Sequence, residues 1–187
     1  MAKRRVAVFV GSLRRDAFSR RLAEALKALQ PASLELDLIS LDMPLYNQDL
    51  ETDNPPAAWT VFRKRVAECD AILIVTPEYN RGMPAAVKNA LDVGSRPYGT
   101  GVVNGKPCAV ASNSPGALGG FGANHQVRHT VVFLDMPMMQ QPEIYLGGVD
   151  KAIEPGGKVT GDSTKQLIEK FLAKFADWIE HNAPRSA

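Results

Sequence analysis

What most constrains the fold of this chain is its alternation, from end to end, of apolar strand-like runs with amphipathic helical patterns. Val6-Ala7-Val8-Phe9-Val10 and Ala71-Ile72-Leu73-Ile74-Val75-Thr76 carry almost no polar residue, the pattern of strands covered on both faces. Between them Phe18, Leu22, Leu26 and Leu29 recur at helical spacing and form one stripe, closed by Pro31. Leu34, Leu36 and Leu38 alternate with Glu35 and Asp37, as in a strand at the edge of a sheet. A long proline-bearing connection occupies residues 42–58, and its length marks it as functional or covering. A helix is expected from Pro56 to Cys69 with Trp59, Phe62 and Val66 inward, and Arg63, Lys64 and Arg65 on a solvated face. A further helix begins near Pro84, a strand runs over Cys108–Ser112, and a helix follows over Ala123–Leu134. A short strand at Met138–Gln141 and a last helix at Ser163–Asn182 complete the series. Five strands separated by helices predict a parallel sheet between two helical layers, the flavodoxin-like three-layer α/β sandwich of order 2-1-3-4-5. The whole chain, residues 1–187, reads as one domain of this kind.

Composition narrows the partners. The 22 Lys+Arg nearly balance the 20 Asp+Glu, which argues against nucleic acid or an anionic membrane surface as the target. Met1-Ala2-Lys3-Arg4-Arg5 passes directly into a strand pattern with no signal-peptide core, so a cytoplasmic location is expected. Cys69 and Cys108 lack any CxxC spacing and read as small buried hydrophobes. His125 and His129 stand four apart on a helix but have no third ligand, so no metal is expected.

In the 2-1-3-4-5 order the loops after the first and third strands meet at the switch point, where open α/β sheets take their ligands. Gly11-Ser12-Leu13-Arg14 leads into a helix N-terminus, where free N–H groups and the helix dipole favour an anion. Ser12 and Ser19 add hydroxyl donors and Arg14 a charged fork, which together suit one phosphate. No glycine follows Gly11 until Gly82, so neither GxGxxG nor a Walker loop is present. The alternative is that Arg14, Arg15, Arg20 and Arg21 form only an exposed basic face. The turn Pro77-Glu78-Tyr79-Asn80 offers rigid backbone donors and acceptors that can read the edge of a planar ring such as a flavin. Glu78 and Asn80 can equally serve as turn-forming side chains with no ligand. Four glycines in Asn113–Gly122 mark backbone that lies close to another group. No side-chain set for acid–base or nucleophilic catalysis is evident, which is what a protein that leaves the chemistry to a cofactor would show.

These residues resemble the NADPH-dependent FMN reductase family, in its bacterial chromate and quinone reductase branch. The matching elements are Gly11-Ser12-Leu13-Arg14, Thr76-Pro77-Glu78-Tyr79-Asn80, Lys88-Asn89-Ala90-Leu91-Asp92 and Ser114-Pro115-Gly116-Ala117-Leu118-Gly119-Gly120, with Val132-Phe133-Leu134-Asp135 and Pro142-Glu143 beyond them. The resemblance implies an FMN phosphate against Ser12, Arg14 and Ser19, and a ring over Pro77, Glu78, Tyr79 and Asn80. It also implies that Ser112 and Ser114 approach from the fourth-strand loop. The family pattern usually has serine where this chain has Ala17 and asparagine where it has Ser19, so one phosphate donor is expected to be missing. A homodimer or homotetramer is implied, with the 42–58 loop, Arg128 and Glu143 as candidate contacts between subunits, although Arg128 and Glu143 can also pair within one chain. The implied reaction is ping-pong transfer of two electrons from NADPH or NADH, through FMN, to a quinone, free flavin, chromate or a similar small acceptor. The alternatives are an electron carrier of the flavodoxin type, which the near-neutral charge disfavours, and a flavin-free interaction module.

Overall fold

The computed structural model describes residues 3–183. The strands β1 (Arg4–Val10), β2 (Leu34–Ile39), β3 (Ala71–Thr76), β4 (Cys108–Asn113) and β5 (Ile144–Leu146) form one parallel sheet of order β2-β1-β3-β4-β5. Strand parity sorts the core into two halves, because successive side chains point to opposite faces. Val6, Val8 and Val10 of β1 and Leu73 and Val75 of β3 pack under α1 (Phe18–Ala28) and α6 (Asp162–Asn182). Phe9, Ile72 and Ile74 face α2 (Ala57–Ala67), α3 (Ala85–Gly94) and α4 (Phe121–Phe133). The expected sandwich is therefore the observed one, and the switch point lies between β1 and β3.

Two local expectations are corrected. The fifth strand lies at Ile144–Leu146, whereas Met138 makes only an isolated bridge to Cys108. Along β4 Ala111 stands three positions beyond Cys108, but its partner Ile144 stands six positions beyond Met138. The additional residues include Pro142, which has no N–H for a ladder, so the edge leaves the sheet and returns to it. A short helix α5 (Val149–Ala152) follows β5. The presumed solvated face of α2 is also partly structural. Arg63 grips Glu51 with two bonds of 2.8 and 2.6 Å, and Arg65 holds Asp37 at 2.6 Å, leaving Lys64 outward. Arg63 thereby ties down the 42–58 connection, and Asn89 of α3 binds it at Tyr46 N–H and the Pro44 carbonyl.

Candidate active site

The turn after β1 and the turn after β3 meet at the C-terminal edge of the sheet. Gly11 allows this approach: a Cβ there would lie 2.8 Å from Val87 and 3.0 Å from Pro77. The hollow beside it holds about 150 Å³ and is lined by Ser12, Arg14, Ser19, Pro77, Glu78, Tyr79 and Ser114, all anticipated, and by Ala17, Phe18, Asn113 and Pro115. Ala17 precedes α1 and makes no side-chain cap; its carbonyl takes the N–H groups of Arg20 and Arg21, and those of Phe18 and Ser19 have no acceptor among the described residues. The Ser12 hydroxyl lies 3.2 Å from the Tyr79 hydroxyl and 3.4 Å from the Arg14 N–H. The Arg14 guanidinium is exposed and has no acidic partner among the described residues.

Glu78 is the one acid lining the cleft, and its charge is turned away. Its Oε2 accepts the Ala123 N–H at 3.0 Å, capping α4 from outside, and its Oε1 meets Arg81 at 3.1 Å. The donor set that remains is neutral or cationic, as a phosphate requires. Asn80 stands outside the cleft wall, in a two-residue hairpin whose ends, Tyr79 and Gly82, exchange backbone bonds of 3.0 Å. Asn80 and Arg81 both have positive φ, 51° and 64°, as this turn demands. The Tyr79 N–H is therefore engaged within the turn. The N–H groups of Glu78, Asn80 and Arg81 have no acceptor among the described residues.

Ser112 is fully buried behind the cleft. Its hydroxyl donates to the Ile144 carbonyl at 3.2 Å and accepts from Asn124 at 3.2 Å. Ser114 does reach the cleft and also accepts the Gly116 N–H at 3.0 Å. The residue that sequence reasoning overlooked is Asn113. Strand parity was the available signal: Asn113 shares a face with Ala109 and Ala111, which look toward α1, whereas Ser112 shares its face with Cys108 and Val110. Arg128 and Glu143 form an ion pair within the chain at 3.6 Å, beside a Tyr145–Glu143 bond of 2.7 Å and a His125–Tyr145 contact of 3.1 Å. Cys69 and Cys108 are buried and unbridged, and desolvation pushes both thiols up. Among the described residues no group of side chains is arranged to hold a metal ion. A wider hollow of about 510 Å³, lined by Asp70 and Lys106, lies at the N-terminal edge of the strands, away from every loop discussed above.

A model of the NADPH-dependent FMN reductases matches residues 4–151. The chain belongs to that family. Relatives within it include a quinone reductase of Pseudomonas putida strain KT2440, 53% identical over 178 residues and 95% of both chains. A 2-hydroxy-1,4-benzoquinone reductase of a Burkholderia species is 42% identical over 94% of this chain and 96% of its own. Among solved structures, the flavoenzyme NAD(P)H:(acceptor) oxidoreductase FerB of Paracoccus denitrificans superposes with a TM-score of 0.91 at 37% identity, covering 97% of this chain and all of its own. A flavodoxin of Pseudomonas aeruginosa shares the fold alone, with a TM-score of 0.56 at 19% identity.

Proposed function

We propose that the chain is a single FMN-binding unit that transfers two electrons from NADPH or NADH to quinones and related small acceptors. The observation that carries this reading is the meeting, in one cleft, of an uncapped helix N-terminus, Ser12 and Arg14 with a rigid Pro77–Tyr79 wall and no free acid. The donor set fits FMN. Ser12, Arg14 and Ser19 hold the phosphate; Pro77, Glu78, Tyr79 and Asn80 carry the ring through their backbone; Ser114 closes the third side. Ser112 acts from behind the wall through Asn124. FMN, when bound, supplies the hydride chemistry. The chain's own part is to fix the phosphate, hold the ring edge against unpaired N–H groups at Glu78, Asn80 and Arg81, and keep Glu78 from repelling the anion. Donor and acceptor would take turns at this one site, with ping-pong kinetics as the consequence.

We further propose a cytoplasmic location and a homodimer or homotetramer. Val132 and Phe133 at the end of α4, 74% and 79% exposed, support a self-contact there. The deciding experiment is an anaerobic visible spectrum of the purified protein. A flavin band that bleaches with NADPH or NADH and returns on adding a quinone supports the reading. A flavin that stays oxidised with both donors points to a carrier, and a colourless protein that FMN does not reconstitute overturns the cofactor.

A further inference from the structure

Asn113, the last residue of β4, is 1% exposed and forms the floor of the cleft together with Ser19. Its amide nitrogen donates to the Thr76 carbonyl at 3.2 Å and to Ser19 Oγ at 3.2 Å. The Thr76 carbonyl is an acceptor only, so the NH2 group must face it, and this fixes which way the amide points. Ser19 Oγ consequently receives a hydrogen from Asn113 and keeps its own to give. Its one acceptor among the described residues, Asn113 Oδ1, lies at 3.5 Å, the weak limit of a hydrogen bond. A charged phosphate oxygen is a far stronger acceptor in this buried setting.

We propose that Asn113 is a positioning residue that makes Ser19 a donor toward the phosphate; this rests on reading the cleft as the FMN phosphate site. The amide that donates to Ser19 comes from β4, across the cleft floor. The same amide joins α1 to the end of β3, immediately before Pro77, and so links the phosphate loop to the wall that carries the ring.

The test uses the full-length protein freed of flavin and titrated with FMN and, separately, with riboflavin, following flavin fluorescence. N113S and S19A should each weaken FMN by about tenfold, the size of one hydrogen bond to a charged group. Riboflavin, which has no phosphate, should change by less than about twofold, and its retention also reports a folded chain. The exchange variant S19N/N113S should recover most of the FMN affinity, because the amide returns to α1. Equal losses for both ligands in N113S mark a merely structural role and overturn the proposal, as does an S19A that binds FMN normally. Should N113S not fold, S19A and the exchange variant still decide the matter. If the unaltered protein binds riboflavin as tightly as FMN, the phosphate reading of the cleft has itself failed, and the variants are not needed to see it.

Discussion

Tyr145 shows how far one side chain's surroundings reach. Burial first, and then its bond to the Glu143 carboxylate, push its pKa up to about 12. The unfolded chain releases that proton near pH ~10, so the folded protein alone keeps it between about pH 10 and 12. The stabilisation is thus complete below about pH 10 and lost as pH rises through about 12. Tyr145→Phe should flatten the fall in denaturant midpoint across that window and remove one late-titrating phenol from the ultraviolet absorbance. An unchanged slope, or the loss of a phenol that titrates near pH ~10 instead of a late one, would exclude this environment for Tyr145. At the same scale, the cleft was legible where chemistry and loop position agree, as at Ser12, Arg14 and Pro77. It was misread where two neighbouring polar residues differ only in strand parity: Ser112 was selected and Asn113 passed over, although the side chain of Asn113 is the one that faces the cleft.

Among the elements, the long periodic ones were easiest to read from sequence. β1, β3 and α1 bury nearly every residue that their pattern marks as apolar, because a two-period or a 3.6-period stripe has only one way to face the core. β5 was misplaced because its three residues give too short a pattern, while Met138 and Met139 upstream offer an apolar pair and Met138 does touch β4 once. The basic residues of α2 looked solvated because ion-pair partners such as Glu51 and Asp37 come from other elements. Glu78 belongs to the same class. It caps α4 from a turn more than forty residues earlier, as a sequence search for a local N-cap cannot foresee. Gly120, at the local N-cap position, has no side chain to do so. Glu78→Ala should cost about 1–2 kcal/mol, with faster amide exchange in the first turn of α4 and little change elsewhere. Glu78→Gln, which keeps an acceptor, should lose less. Equal stability of Glu78→Ala and the unaltered protein would mean that the Ala123 N–H finds another partner.

For the whole molecule, the residues lining the cleft come from three distant stretches: Ser12–Ser19, Pro77–Tyr79 and Asn113–Pro115. An anion held by all three closes loops that the sheet alone leaves open, so its binding energy belongs to global unfolding and not to a local flap. A ligand at a hundredfold excess over its dissociation constant adds about 2.7 kcal/mol. For a chain of this length that corresponds to a rise of roughly 5–10 °C in the thermal midpoint. FMN should therefore raise the midpoint by about that much, and riboflavin at the same concentration by distinctly less, because it lacks the group that Arg14 and the α1 N-terminus address. Salt should reduce the FMN effect by screening the exposed Arg14 guanidinium, and leave the riboflavin effect nearly unchanged. Equal shifts for the two ligands, or an FMN shift indifferent to salt, would place the phosphate somewhere other than this cleft. The loops at the switch point would then serve the ring alone.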